Sequence, residues 1–288
     1  MNANRNLPGH LQLYLTGEHD CSYLDGLRAR TLFVDPMARI DRERAQWLQQ
    51  IGFRRSGMHF YRPACRGCQR CIPVRVPVAD LRLSRSQRRN ASRNDGEVRI
   101  AFKPAQLQPA HYQLYERYIL ARHGDGDMAE DVSIETYMRF LLSPWGGQTW
   151  FIEAYLGERL MSVAVTDIFS DGLSALYTFF DPELSERGPG TYAVLTQARE
   201  AARLGLRHLY LGYWIEESPK MAYKDRFRPI EAWDGRDWLR FERGERHIAV
   251  ARLVDVVPRV RPRQRRLAGS WPLVAGLGVA PERAGGVG

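Results

Sequence analysis

Three of the four cysteines fall in one short run, Cys65-Arg66-Gly67-Cys68-Gln69-Arg70-Cys71, and the fourth opens Cys21-Ser22-Tyr23-Leu24. The C-x2-C-x2-C spacing is tight enough to set three sulfurs around one ion, and Cys21 would complete a set of four thiolates. Zinc favours such ligands, and iron–sulfur clusters also use closely spaced cysteines. The spacing departs from the two separated C-x2-C pairs of a zinc ribbon, so Cys21, Cys65, Cys68 and Cys71 are candidate ligands for zinc or an iron–sulfur cluster. Arg66 and Arg70 would favour thiolates with or without a metal. A buried, reduced cysteine cluster remains the alternative.

Three other places carry possible chemistry. His123 stands beside Asp125 and Asp127, an arrangement open to general-base catalysis or to a structural loop. Arg187-Gly188-Pro189-Gly190-Thr191 precedes a helical pattern, where backbone N–H groups can grip a phosphate. Pro189 removes one such donor, and tight strand-to-helix packing explains the glycines equally well. Leu211-Gly212-Tyr213-Trp214-Ile215 leads through Lys220 and Lys224 to Arg226-Phe227-Arg228-Pro229. Aromatics interleaved with cations suit splayed bases and phosphates, though core aromatics with a solvated basic edge would read alike. The chain has no Ser-His-Asp order, Walker loop or HExxH helix.

A net charge of +9 on 288 residues favours a polyanion partner. Clustering sharpens this: Arg82, Arg85, Arg88, Arg89 and Arg93 crowd one segment among Ser84, Ser86, Gln87, Asn90, Ser92 and Asn94. Such side chains contact phosphate and sugar oxygens without reading a base. No run approaches the roughly 18 apolar residues of a membrane span, and the start resembles no secretory signal. Four cysteines are too few for a disulfide framework. The expected address is the cytoplasm, with neither membrane nor DNA as partner.

The elements that must position these groups point to an α+β chain. Leu32-Phe33-Val34 and Val74-Arg75-Val76 read as strands, and Ile40 to Ile51 as a helix with Trp47, Leu48 and Ile51 on one face. Asn94-Asp95-Gly96 signals a turn that closes an N-terminal domain over residues 1–100. A helix from about Pro109 carries Leu114, Tyr115, Tyr118 and Ile119. Strand-like runs over 149–155, 160–167 and 173–180, with glycine turns between, predict an antiparallel meander. A helix from about Tyr192 to Leu204, N-capped by Thr191 and stopped by Gly205, leads to a strand at 208–211. This order, within a second domain over 101–245, resembles the GNAT acyltransferase fold. Residues 246–288, with alternating arginines and prolines and then a Gly/Ala/Val-rich end, read as a basic flexible tail.

Taken together, the short motifs resemble the aminoacyl-tRNA–protein transferase family over roughly residues 10 to 240. They are Cys21-Ser22-Tyr23, Arg30-Thr31-Leu32-Phe33, Gly52-Phe53-Arg54-Arg55-Ser56-Gly57, Tyr61-Arg62-Pro63 and the cysteine run. Ser84-Arg85-Ser86-Gln87-Arg88-Arg89, His123-x-Asp125-Gly126-Asp127-Met128, Tyr177-Thr178-Phe179-Phe180-Asp181-Pro182, Leu211 to Ile215 and Met221-x-Tyr223-Lys224-x2-Phe227-Arg228-Pro229 follow. The set is most similar to the bacterial branch, the aspartate/glutamate leucyltransferases of the N-degron pathway. Bacterial members commonly carry a cysteine before the Lys-Met pair; here Ser218 and Pro219 precede Lys220-Met221.

The resemblance implies transfer of leucine from leucyl-tRNA to proteins beginning with Asp or Glu, in a cysteine-bearing N-terminal domain joined to a GNAT-like C-terminal one. An aminoacyl ester is already activated, so the transfer requires no cofactor. Arg85, Arg88 and Arg89 would hold the tRNA, with Tyr213 and Trp214 among the substrate contacts. Arg75, Lys224 and Arg228 are the candidates to pair with the acceptor's carboxylate. Tyr177, Asp181 and His123 are the candidate bases. The alternatives are an arginyl donor with the same acceptors, a coenzyme A-dependent N-acetyltransferase, and a noncatalytic RNA-binding metalloprotein.

Overall fold

The computed structural model describes residues 11–123 and 127–245, with the side chains of His123, Asp127 and Met128 outside that description. The expected tail, residues 246–288, and the Gly124-Asp125-Gly126 stretch therefore lie outside the described residues.

The N-terminal stretch builds a small sheet. Strands β1 (Leu13–Leu15), β4 (Thr31–Val34), β5 (Arg54–Ser56) and β6 (His59–Pro63) assemble in the order β1-β4-β6-β5, and β2 (His19–Asp20) pairs with β3 (Arg28–Ala29). Helix α1 (Arg42–Gln50) starts where the Asp41 side chain accepts the Arg44 N–H, an N-cap that satisfies one orphan donor. Leu32, Val34, Ala45, Leu48, Phe53 and Phe60 pack into one core with Trp145 and Phe169 from the later chain.

The large sheet runs β14-β13-β7-β12-β11-β10-β9-β8. Its strands are β7 (Ile72–Pro77), β8 (Val98–Pro104), β9 (Gln148–Leu156), β10 (Arg159–Ile168), β11 (Gly172–Phe180), β12 (His208–Trp214), β13 (Ile230–Trp233) and β14 (Trp238–Phe241). The meander expected over 149–180 is present, with β8, β9, β10 and β11 antiparallel in turn. Strands alternate their side chains between faces. One face sends Phe151, Val163, Val165 and Phe179 against Leu114, Tyr115, Tyr118 and Ile119 of helix α3 (Pro109–His123). The short α4 (Asp127–Glu130) and α5 (Ile134–Tyr137) continue that layer, Tyr137 being buried against it. The other face carries α2 (Arg85–Asp95) and α6 (Pro189–Arg203), through Ala91, Val194, Leu195 and Ala198.

Two expectations change. The boundary at residues 100 and 101 falls inside β8, and β7 is built between β12 and β13. Ile72, Val74 and Val76 bury there, so the stretch just after the cysteines belongs to the large sheet. Helix α6 begins at Pro189, not Tyr192, with left-handed Gly188 as its N-cap in place of Thr191. Proline's fixed φ suits the first helical turn, which is why the helix starts earlier.

The two sheets are fastened by buried charge. Arg55 on β5 donates from Nε and Nη2 to both Asp167 oxygens on β10 at 2.7 Å, each side chain 1% exposed. Thr149 Oγ1 donates to the same carboxylate at 2.6 Å. Nearby, Gln46 and Gln50 of α1 and the Tyr210 hydroxyl all donate to Asp171.

Candidate functional site

The parallel pair at the centre of the large sheet opens into a fork. β11 and β12 pair only through Gly172, Leu173 and Ser174 against His208, Leu209 and Tyr210. Beyond that each follows its outer neighbour, β11 staying on β10 to Phe180 and β12 on β7 to Trp214. Each carries one extra residue where they part. Leu176 lies between the Thr166–Ala175 and Val165–Tyr177 pairs, and Leu211 between Tyr210–Arg75 and Gly212–Val74. A bulge bends its strand and raises the local twist, which is what parting two neighbours requires.

Arg54 fills the neck of the fork. From β5 its Nη1 donates to Ser174 Oγ at 2.8 Å and its Nη2 to the Ala175 carbonyl at 2.7 Å. Past the neck, the β11 side is aromatic. Tyr177 lies 6.3 Å from Tyr118 of α3 and 5.2 Å from Phe140, and Tyr118 lies 4.8 Å from Phe180. Arg122, exposed at the end of α3, sits over Phe180 at 5.9 Å.

The β12 side ends in Pro219–Ala222, helix α7, and a 3-10 turn over Tyr223–Arg226. Lys224 is buried there, donating from Nζ to the Tyr213 carbonyl at 2.5 Å and to Met221 Sδ at 3.0 Å. Burial, with Arg54 adding to it and Cys71 opposing, lowers its ammonium to about 7. The Tyr223 ring lies beside this group, its centroid 5.9 Å from Lys224 Nζ, and is itself partly open to solvent.

Several expected site residues are already committed elsewhere. Arg75 donates to Glu231 at 2.6 Å and stacks on Trp238 at 4.3 Å, on the far side of β12 from the fork. Arg228 is buried in an ion pair with Asp225. Trp214 packs in the core with its Nε1 donating to the Ala222 carbonyl, and the Tyr213 hydroxyl donates to the Gly52 and Tyr61 carbonyls, so neither ring is free to stack on a base. Asp181 is 1% exposed, held by Arg159 at 2.6 Å and capping the Glu183 N–H. Burial pushes Tyr177 well above its ordinary value, which makes its hydroxyl a donor at neutral pH rather than a proton acceptor. The His123 side chain lies outside the described residues. Arg54, Tyr118, Tyr223 and Arg122 were missed. Arg54 stands inside a quoted motif, but only the fold reveals what it reaches.

Cys71 and Cys65 sit against the small sheet. Burial raises Cys71 strongly, and Cys65, Cys21 and Cys68 all act on it. Cys71 packs against Phe33, Tyr61 and Tyr213, and Cys65 Sγ accepts the Arg30 N–H at 3.5 Å. The donor chemistry suits a soft ion. Among the described residues, however, no three His, Cys, Asp or Glu side chains stand in a metal-holding arrangement, so no step below runs through one.

Beside the fork lies a cationic helix. Ser84 and Gln87 form a reciprocal capping box at the start of α2, which leaves Arg85, Arg88 and Arg89 exposed. Gln87 Nε2 donates to the Arg226 carbonyl at 3.1 Å, tying this helix to the turn that carries Lys224. The Arg187–Thr191 loop packs against the same helix, Asn90 donating to the Arg187 and Gly188 carbonyls at 2.8 and 3.1 Å. Among the described residues no helix is long and apolar enough to cross a membrane.

Residues 19–89 match the family model described as arginine-tRNA-protein transferase, N terminus, and residues 110–234 match the corresponding C terminus model. A protein of Hahella chejuensis named aspartate/glutamate leucyltransferase is 46% identical over 229 residues, 80% of this chain and 97% of that protein. Proteins of the same name from Marinobacter nauticus and Chromohalobacter salexigens are 46% and 47% identical, over 79% and 83% of this chain and 95% and 96% of their own. A solved structure of L-PGS from Bacillus licheniformis overlaps 62% of this chain and 51% of its own at 10% identity, with a TM-score of 0.39, too distant a likeness to bear on the fold. Matched by both family models and by full-length relatives, the chain belongs to the aminoacyl-tRNA–protein transferase family, in its bacterial leucyltransferase branch.

Proposed function

We propose that this chain transfers leucine from leucyl-tRNA to the N-terminal amine of proteins that begin with Asp or Glu, marking them for degradation. The relatives' shared name supports the donor and the acceptors. The observation that carries the reading is the fork, aromatic on one arm and bearing a lysine lowered to about 7 on the other, beside an arginine-lined helix. A meander, a helix and a parallel strand that parts from its neighbour are what a GNAT-like acyltransferase core requires, and they support that fold class for the C-terminal unit.

In this reading Arg85, Arg88 and Arg89, with exposed Lys220 and Arg226, hold phosphates of the tRNA while the leucyl ester enters the fork. The acceptor amine attacks the ester carbonyl, the bond to the ribose oxygen breaks, and that oxygen leaves with a proton. Lys224 is the proton acceptor. As a neutral amine it gives its two N–H groups to the Tyr213 carbonyl and Met221 sulfur, which leaves the lone pair for the incoming amine's proton. A base near the working pH is what such a step needs. Arg122, at the rim and in no ion pair among the described residues, is the cation for the acceptor's carboxylate. The cysteines stand as a thiol cluster supporting the neck, with zinc or iron–sulfur binding to be decided by metal analysis of the purified protein.

The test is transfer of labelled leucine, and separately arginine, from charged tRNA to peptides beginning Asp, Glu or Ala. Leucine on Asp and Glu peptides alone is expected. Arginine transfer would overturn the donor. Transfer of acetyl from acetyl-CoA, or tRNA binding with no transfer, would replace the reading altogether.

A further inference from the structure

We propose that Arg54 is a positioning residue of the transfer site: reaching from the small sheet into the large one, it holds β11 and β12 apart and sets the width of the fork, and residue 212 is glycine to admit it. The inference rests on the functional reading above for its kinetic consequence, and on geometry alone for the wedge itself.

Three observations carry it. The first is position. Arg54 donates to Ser174 Oγ and the Ala175 carbonyl, at the last paired residue of β11 and the first beyond the pairing. The carbonyl a continued parallel ladder would use is thus held by a guanidinium instead. A planar guanidinium donates from separate nitrogens at fixed spacing and so spans the two acceptors, whereas an ammonium donates from a single compact centre. The second is the opposite strand. A Cβ on Gly212 would stand 2.9 Å from Arg54 Nε, closer than packed atoms come, and 3.1 Å from both Cζ and Nη2, a tight contact. Its φ of +83° is also a conformation that side-chain-bearing residues rarely adopt. Arg54 is therefore enclosed between the Ala175 carbonyl on one strand and the backbone of Gly212 on the other.

The third is reach. Arg54 is 7% exposed and its charge acts on Tyr61, Tyr213, Tyr223 and Lys224 alike. One side chain of the small sheet thus acts on Lys224, the proposed base, from across the neck. Arg55, its neighbour, anchors the same strand to Asp167, so β5 is fixed against the large sheet and the wedge has a rigid base. The transfer site is then shared between the sheets, and the C-terminal matched region alone would lack the group that holds its fork open.

Arg54→Lys, Arg54→Ala and Gly212→Ala, with the double variant Arg54→Ala/Gly212→Ala, test this in the full chain. Amide hydrogen exchange reads the wedge whatever the activity. Residues 175–177 and 211–213 should exchange faster in Arg54→Lys, with β8 and β9 unchanged. Kinetics read the consequence. Because small misplacements at a reacting centre are costly, Arg54→Lys and Gly212→Ala should each lose on the order of 10²-fold in kcat. KM for leucyl-tRNA should hold within about twofold, since α2 is untouched. The double variant should lose less than the two single losses combined, because the contact with Arg54 is gone and only the strain of the positive φ remains. Unchanged exchange at the fork, or wild-type kcat in folded Arg54→Lys, would overturn the proposal. If the unaltered protein transfers no leucine, the functional reading has failed, and the exchange result still decides the wedge.

Discussion

Lys224 has the most exposed consequence of any single residue in this account. Its ammonium is lowered to about 7 by burial and by Arg54, and a base must be unprotonated to act. Activity should therefore fall as pH drops through 7 and reach a plateau above it. In Lys224→Met, kcat should fall about 10²-fold, the usual scale for a positioned base, and the remaining acid limb should move toward the acceptor amine's own pKa of about 8. A Lys224→Met profile with the wild-type rate and limb would remove it from the mechanism. Arg122 makes a different prediction. Arg122→Gln should raise KM for Asp- and Glu-peptides about 10- to 100-fold, matching the roughly 1.5–3 kcal/mol of a hydrogen bond to a charged group, and leave KM for leucyl-tRNA alone. Equal effects on both substrates would place Arg122 on the tRNA instead.

At the scale of an element, α2 is where the arginine cluster acquires meaning. Its capping box and the burial of Gln87, Ala91 and Asn94 fix which side turns inward, and the arginines take the outer side. Arg85, Arg88 and Arg89 replaced together by Gln should weaken tRNA binding and lower the salt slope of that binding by about 2–3, one per lost phosphate contact. An unchanged slope would show that the tRNA lies elsewhere. The sequence conveyed this cluster because charge is a composition signal. It conveyed the meander and helices α1, α3 and α6 because apolar spacing reports burial. It did not convey the fork, since nothing in Gly172–Phe180 or His208–Trp214 reports where two strands that meet only through a crossover stop pairing. The same gap explains the site assignments. Arg75, Arg228 and Asp181 looked available as isolated charges; their partners Glu231, Asp225 and Arg159 are known only from the fold. Tyr213 and Trp214 looked like stacking rings until β12 proved to be buried along its whole length.

Across the whole molecule, the two sheets are held by paired charges whose removal should be felt globally. Arg55→Ala leaves Asp167 buried without its partner and should destabilise the protein by about 3–5 kcal/mol, measured by denaturant unfolding; a loss below about 1 kcal/mol would contradict the fastening. Asp171 adds a pH dependence. Burial opposes its ionisation, but hydrogen bonds from His208, Gln46, Tyr210 and Gln50 outweigh it and hold the carboxyl well below its usual range. A group with a depressed folded pKa contributes stability that is present above its unfolded value of about 3.9 and lost as pH falls below it. Asp171→Asn should accordingly be less stable at neutral pH and show a flatter acid limb. These contacts matter to function because the neck of the fork is made by both sheets, and loosening the junction displaces Arg54.

The most direct test of the central claim is leucine transfer from leucyl-tRNA to an Asp-initiated peptide, compared in the unaltered protein and in Lys224→Met at pH 6, 7 and 8. Transfer that rises through pH 7 in the unaltered protein and loses about 10²-fold in the variant is the expected result. Equal rates in the two proteins at every pH would place the chemistry outside the fork.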